Sequence, residues 1–119
     1  MATPNEQRVA LAAACSTVDG VDVRDYQIKS AVRGDGWVTV GRVVPSDFTR
    51  NVITFSVPVV LGPDIVKAET AYELWASQLI NAATDLGGFD VSVQPITITV
   101  GSSEQLALEL TVSLEVTTS

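Results

Sequence analysis

Residues 104–116 read EQLALELTVSLEV, where Leu106, Leu108, Leu110, Val112, Leu114 and Val116 alternate without a break with small or polar residues. Successive side chains of a strand point to opposite faces, so this period of two puts six apolar side chains on one face. The other row, Ala107, Glu109, Thr111, Ser113, Glu115 and Thr117, holds two charges in six positions. A strand built this way needs a cover over its apolar row, which requires a sheet with a second layer.

The cover is legible upstream. Ile65, Ala68, Tyr72, Trp75, Leu79, Ala82 and Leu86 step by alternating threes and fours, the stripe of an amphipathic helix. Pro63 suits a first helical turn, Asp64 suits the positive end of the helix dipole, and Gly87-Gly88 ends the pattern. A helix of this extent, Pro63 to Leu86, is about 36 Å long. Ala71, Ala76, Ile80 and Ala83 widen its stripe beyond a two-stranded coiled-coil seam, so it is expected to lie across a sheet.

A first helix is expected over Pro4 to Thr17, with Thr3 and Glu6 at capping-box spacing and a small-residue face of Val9, Ala12, Ala13 and Ser16. Leu11 to Cys15 has the letters of a lipoprotein cleavage site, but the apolar run is short for a secretory core. A cytoplasmic product is expected. After the turn-rich VDGVDVRD come a strand at Tyr26 to Val32, a hairpin turn at Gly34-Asp35-Gly36, a strand at Trp37 to Val44, and a third at Val52 to Leu61. Pro58 predicts an edge position or a bulge in that third strand. In the fourth, Phe89, Val91 and Val93 alternate, then Ile96, Ile98 and Val100 continue out of phase, which predicts a bulge or bend at Gln94-Pro95. The expected fold is α+β over one domain, 1–119: an antiparallel or mixed sheet of about five strands with two helices on one face, in the order α-β-β-β-α-β-β.

The residue inventory excludes much chemistry. There is no histidine and one cysteine, which removes the usual metal ligands, the usual neutral-pH base and any intramolecular disulfide. Asp19, Asp22 and Asp25 are spaced by three, unlike the alternate ligands of a calcium loop. Arg33-Gly34-Asp35 spells a cell-adhesion tripeptide, yet Gly and Asp are what a turn needs. Gly101-Ser102-Ser103 is an isolated turn without a phosphate-loop context, and Cys15 on an alanine-rich helix reads as a small buried hydrophobe. No enzyme activity, cofactor or metal is expected. The net charge of −7 is uneven, since residues 51–119 carry only Lys67 against eight acids, which argues against tight nucleic-acid binding. No apolar run of 18 residues is present, so no membrane span is expected.

Leftover surface is therefore the functional signal, and it points to self-assembly. The N-terminal helix, VDVRDYQI, the long hairpin GWVTVGRVVPSDFTRNVITFSVPVVLG, the helix YELWASQLINAA and the closing FDVSVQPITITVGSSEQLALELTVSLEV together resemble the tail terminator proteins of long-tailed, non-contractile bacteriophages. The likeness covers nearly the whole chain and consists of pattern and layout. It implies a structural virion protein located at the neck end of the tail and made in the host bacterial cytoplasm. It implies a homo-hexameric ring that caps the tail tube, stops tail growth and offers a head-joining surface. The implied partners are the chain itself, the tail tube protein and the head-to-tail connector or neck proteins, with DNA passing through the lumen without specific binding. Subunit contacts are expected at the loop Ser46, Asp47, Phe48, Thr49 and Arg50, where an aromatic sits among charges, and at Arg33, Asp35 and Trp37 on the neighbouring hairpin. Glu109 and Glu115 are expected to face the lumen or a neighbouring subunit. Two alternatives stand beside this: a head-to-tail connector subunit, and, from another class, a small acidic ligand-binding or regulatory module.

Overall fold

The computed structural model describes residues 3–26, 32–45, 50–100 and 102–117. Within them the chain runs α1 (Pro4–Cys15), β1 (Asp22–Arg24), β2 (Asp35–Trp37), β3 (Thr39–Pro45), β4 (Arg50–Gly62), α2 (Ile65–Asp85), β5 (Phe89–Val100) and β6 (Ser103–Thr117). The fold is α+β as expected, with a mixed sheet of six strands rather than about five. The order across the sheet is β1-β2-β4-β6-β5, and β3 shares an edge of β4 with β2.

The two long alternating strands form the centre. Ile53, Phe55, Val57, Val59 and Leu61 of β4 and Leu108, Leu110, Val112, Leu114 and Val116 of β6 all face one core, under Leu11, Ala12 and Cys15 of α1 and Ala68, Ala71, Trp75, Leu79 and Ala83 of α2. Both helices therefore cover the same face, and they touch each other. The antiparallel register brings Phe55 opposite Val112 and Val57 opposite Leu110, so apolar rows meet side by side.

Both helix starts follow their local chemistry. Thr3 and Glu6 form the capping box, the Glu6 N–H donating to Thr3 Oγ1 at 3.2 Å and the Thr3 N–H to Glu6 Oε1 at 3.3 Å. Asp64 is the N-cap of α2, accepting the Lys67 N–H at 3.0 Å, which sets the start two residues after Pro63 and leaves a helix of 21 residues. Of the face expected for the first helix, Ala12 is buried, whereas Val9, Ala13 and Ser16 are exposed. Val9 is 47% exposed while Leu11 and Cys15 are fully buried, because Arg8 turns inward: its Nη1 donates to the Asp25 carbonyl at 2.8 Å and the Val38 carbonyl at 2.6 Å.

The first half of the sheet departs most from expectation. The strand expected at Tyr26 to Val32 lies largely outside the described residues. Within the stretch expected to be a turn, Asp22–Arg24 pairs in parallel with Asp35–Trp37, so the expected hairpin turn is strand. Gly36 fits there because it has no side chain: a Cβ would sit 2.6 Å from the Pro58 carbonyl oxygen.

Pro58 is neither at an edge nor at a bulge, since β4 is interior and its register shift with β6 falls between Val60 and Gly62. The Val60 carbonyl accepts from the Gly34 N–H at 2.8 Å, on the side away from β6. Backbone direction alternates, so Pro58 points the same way, into the junction where β3 ends opposite Ser56 and β2 begins opposite Val59. Its missing N–H falls in a gap between partners.

The bulge expected at Gln94-Pro95 lies instead between Phe89 and Ser92, beside Asp90 with φ of 51°. Through Pro95 the strand is regular. Val91 and Val93 pack on the helix-covered core, whereas Ile98 packs on the opposite face with Trp37 and Val60. The phase change in the sequence is a change of which face is apolar, with no slip of register.

Candidate interaction surfaces

Of the residues expected to form subunit contacts, Ser46, Asp47, Phe48 and Thr49 lie outside the described residues. Arg50, next to them, is exposed and its Nη1 lies 3.5 Å from Glu115 Oε2 across the β4–β6 pair. The second expected patch is divided. Arg33 is exposed, Asp35 accepts the Val32 N–H at 3.0 Å, and Trp37 is only 6% exposed, so within one chain it is a packed residue of the helix-free face and not an open anchor. Its partners there are Val60 and Ile98.

Beyond that apolar end, the helix-free face is a row of cross-strand polar contacts. Thr54 Oγ1 and Ser113 Oγ are 3.0 Å apart, and Gln94 Nε2 donates to Glu109 Oε1 at 2.9 Å. Glu109 is thus half-buried and engaged with the neighbouring strand, and Glu115 is exposed and paired with Arg50.

The β5 edge and the β3 edge of the sheet are blunted, β1 forming the rest of the side on which β3 lies. Because Pro58 turns away from β6, its partner Glu109 turns toward β5 and meets Gln94, which leaves Pro95 facing the outer edge. The Val93 carbonyl on that edge lies 3.5 Å from the Tyr72 hydroxyl. On the β3 edge Thr39, Arg42 and Val44 turn toward β4, so Pro45 faces out, and the register shifts at Gly41. Outward prolines and bulges remove the row of donors that another strand would need. The side chains of β3 remain available: Val40, Val43 and Val44 are 47%, 50% and 40% exposed.

A concavity lies between the first half of α2 and the strands β4, β5 and β6. It has a volume of about 360 Å³, a floor of Leu61, Ala68, Pro95 and Leu106, and a mouth where Tyr72 sits beside Glu69 and Glu73. The two glutamates are one helical turn apart on one side of α2, and neither has an ion-pair partner among the described residues. No short motif announces this groove, which arises where a helix meets a sheet.

Elsewhere, among the described residues, no three metal-ligating side chains converge and no buried side-chain nitrogen or oxygen lacks a partner. Burial pushes the Cys15 thiol up to about 12, which holds it neutral and unreactive. No helix is long and apolar enough to cross a membrane. No protein-family model matches the chain, and no curated protein matches it closely enough to count as a relative.

Proposed function

We propose that this chain is a tail terminator of a long-tailed, non-contractile bacteriophage: a structural virion protein that assembles as a hexameric ring on the end of the tail tube. One ring face copies the tube's end and the other refuses further tube subunits, so growth stops and the head-joining surface is set. The observation that carries the reading is where the exposed apolar side chains lie. Val40, Val43 and Val44 expose apolar surface on the β3 strand, and Ile65 and Val66, which are 64% and 74% exposed, do so on the first turn of α2, with further exposed apolar side chains at Val9, Tyr26, Val32, Leu74 and Phe89. These are surfaces suited to neighbours in an assembly. The layout of elements supports the same reading, as does the acidic balance. A ring of six would carry six times −7, or −42, before counterions, and acids lining its lumen would repel passing DNA.

The test is to size the purified full chain at high micromolar concentration and to add it to tail tubes that lack their natural cap. Rings of discrete mass that halt tube elongation are expected. A strict monomer that leaves elongation unchanged would sink the reading. A connector subunit, the closest competitor, would be absent from tails made without heads, whereas a terminator stays with them. The groove beside α2 is within the size range of small-ligand sites, which keeps the ligand-binding module as the reading from another class. Saturable binding of a small molecule by a monomer would favour it.

A further inference from the structure

The groove beside α2 offers two chemistries at two depths. Its floor is hydrocarbon: Leu61 and Ala68 are buried, Leu106 is half-buried, and Pro95 closes the β5 side. Its mouth is acidic. Glu69 and Glu73 are exposed on the α2 wall, and neither has an ion-pair partner among the described residues. Tyr72, between them in sequence, adds an aromatic wall. The acidic character continues past the groove, because Leu106 also lines a smaller neighbouring hollow that carries Glu104. Lys67 is the one basic residue in positions 51–119, and it lines neither hollow.

We infer that this groove binds a small amphipathic cation, with an alkyl or aryl body on the floor and a single ammonium group at the mouth. Charge selects the head. An anion there would face two carboxylates with no cation to offset them, and a neutral head would gain little from either. The Tyr72 ring favours the same choice, because a cation is drawn to an aromatic face. The floor selects the body. A small, multiply charged cation would leave the floor in water, whereas a hydrocarbon body gains about fourfold in affinity for each methylene it fully buries. A volume of about 360 Å³ lies at the small end of ligand pockets and suits a single compact molecule. Every wall belongs to one chain, so the inference does not rest on the ring reading.

Probes that share one body and differ in the head test this: n-octylammonium, 1-octanol and n-octanoate, titrated calorimetrically into the full chain at pH 7. Saturable binding of octylammonium is expected, at least about fivefold tighter than octanol, with octanoate weaker than either. Shortening the body to n-butylammonium should weaken binding at least about tenfold. Methyl resonances of Leu61, Ala68 and Leu106 should shift as the site fills. Glu69→Gln/Glu73→Gln changes two exposed side chains and leaves the floor intact, with folding checked by circular dichroism. It should bring octylammonium close to the affinity of octanol and leave octanol unchanged. Sedimentation of the same samples records the oligomeric state, so binding and ring formation are scored separately. The inference is overturned if octylammonium shows no saturable binding, or if octanoate binds as tightly as octylammonium. It is equally overturned if the double variant keeps the full preference for the cation, or if the methyl shifts fall only on residues outside the groove.

Discussion

Gly87 and Gly88 end α2 side by side, yet the structure gives them separate jobs, and substitution distinguishes them. Gly87 has φ of +103°, and a Cβ there would meet nothing within 4 Å, so its requirement is purely conformational. Asparagine tolerates positive φ best among non-glycine residues, and Gly87→Asn is expected to cost at most about 1 kcal/mol. At Gly88 the requirement is space. A Cβ would lie 2.7 Å from the Ala83 carbonyl oxygen and closer still to Cγ2 of Val112, which is fully buried on the central strand. The Ala83 carbonyl also accepts the Gly88 N–H at 3.0 Å, so it cannot retreat without losing that bond. Overpacking of this kind costs about 2–3 kcal/mol. An unfolding entropy of about 2.1 cal/mol/K per residue makes 1 kcal/mol worth about 4 °C in a chain of this length. Gly88→Ala should then lower Tm by about 8–12 °C and Gly87→Asn by no more than about 4 °C, in thermal melts at one fixed protein concentration. Equal effects, or a larger effect at Gly87, would refute the assignment of space to one glycine and conformation to the other.

Further predictions follow from single contacts. Arg8→Met removes both charge-assisted bonds to the Asp25 and Val38 carbonyls and the stacking on Tyr26 at 4.5 Å. Urea unfolding should register a loss of about 2–4 kcal/mol, with Arg8→Lys recovering part of it. The Cys15 thiol, raised from 9.0 to about 12, stays protonated in the folded chain and ionises near its ordinary value once unfolded. Its contribution to stability is therefore full below pH 9 and declines as pH rises from 9 toward 12. An aromatic disulfide reagent at pH 8 should leave the thiol unmodified until denaturant is added. Glu115→Gln breaks the Arg50 pair, whose side chains are 46% and 45% exposed, and should change stability by less than about 0.5 kcal/mol in the same urea assay.

What the sequence discloses is set by element length. Residues 104–116 and 52–61 carry a period of two, and 65–86 a stripe of threes and fours, for long enough that no alternative period competes. The strands β1 and β2 have three residues each and contain Asp and Gly, which are poor strand formers. Their parallel pairing joins residues 13 apart in sequence, so nothing local reveals them. Pro58 and Pro95 were read by the usual rule for proline in a strand. The rule holds in that each points its nitrogen where no ladder bond is lost, but the direction is set by tertiary pairing. In β5, Val93 and Ile96 sit on opposite faces of one regular strand, and a sequence cannot tell a change of apolar face from a slip. Trp37 was expected in a subunit contact, alongside Arg33 and Asp35, on the hairpin neighbouring the 46–50 loop. It is buried because Val60 and Ile98 gather on the helix-free face from strands far apart in the chain. The groove beside α2 was invisible for the same reason, being made of residues from three strands and a helix.

The placement of prolines and charges bears on how copies of this chain can meet. An extended sheet with open edges would add neighbours strand to strand and grow without a defined end. Here Pro95 and the Tyr72 hydroxyl occupy the β5 edge, and Pro45 and the Gly41 register shift interrupt the β3 edge. Strand-to-strand addition is thereby disfavoured at these two edges. Side-chain contacts carry a directional demand that backbone pairing lacks, since charges must find opposite charges and apolar groups must find apolar surface. The acids of residues 51–119 gather on the half of the chain that forms α2, β5 and β6, opposite the β3 edge that holds Arg42. On the tail-terminator reading, this asymmetry of charge would favour some relative orientations of neighbours over others. A fixed orientation repeated from copy to copy is what a closed ring of definite size requires.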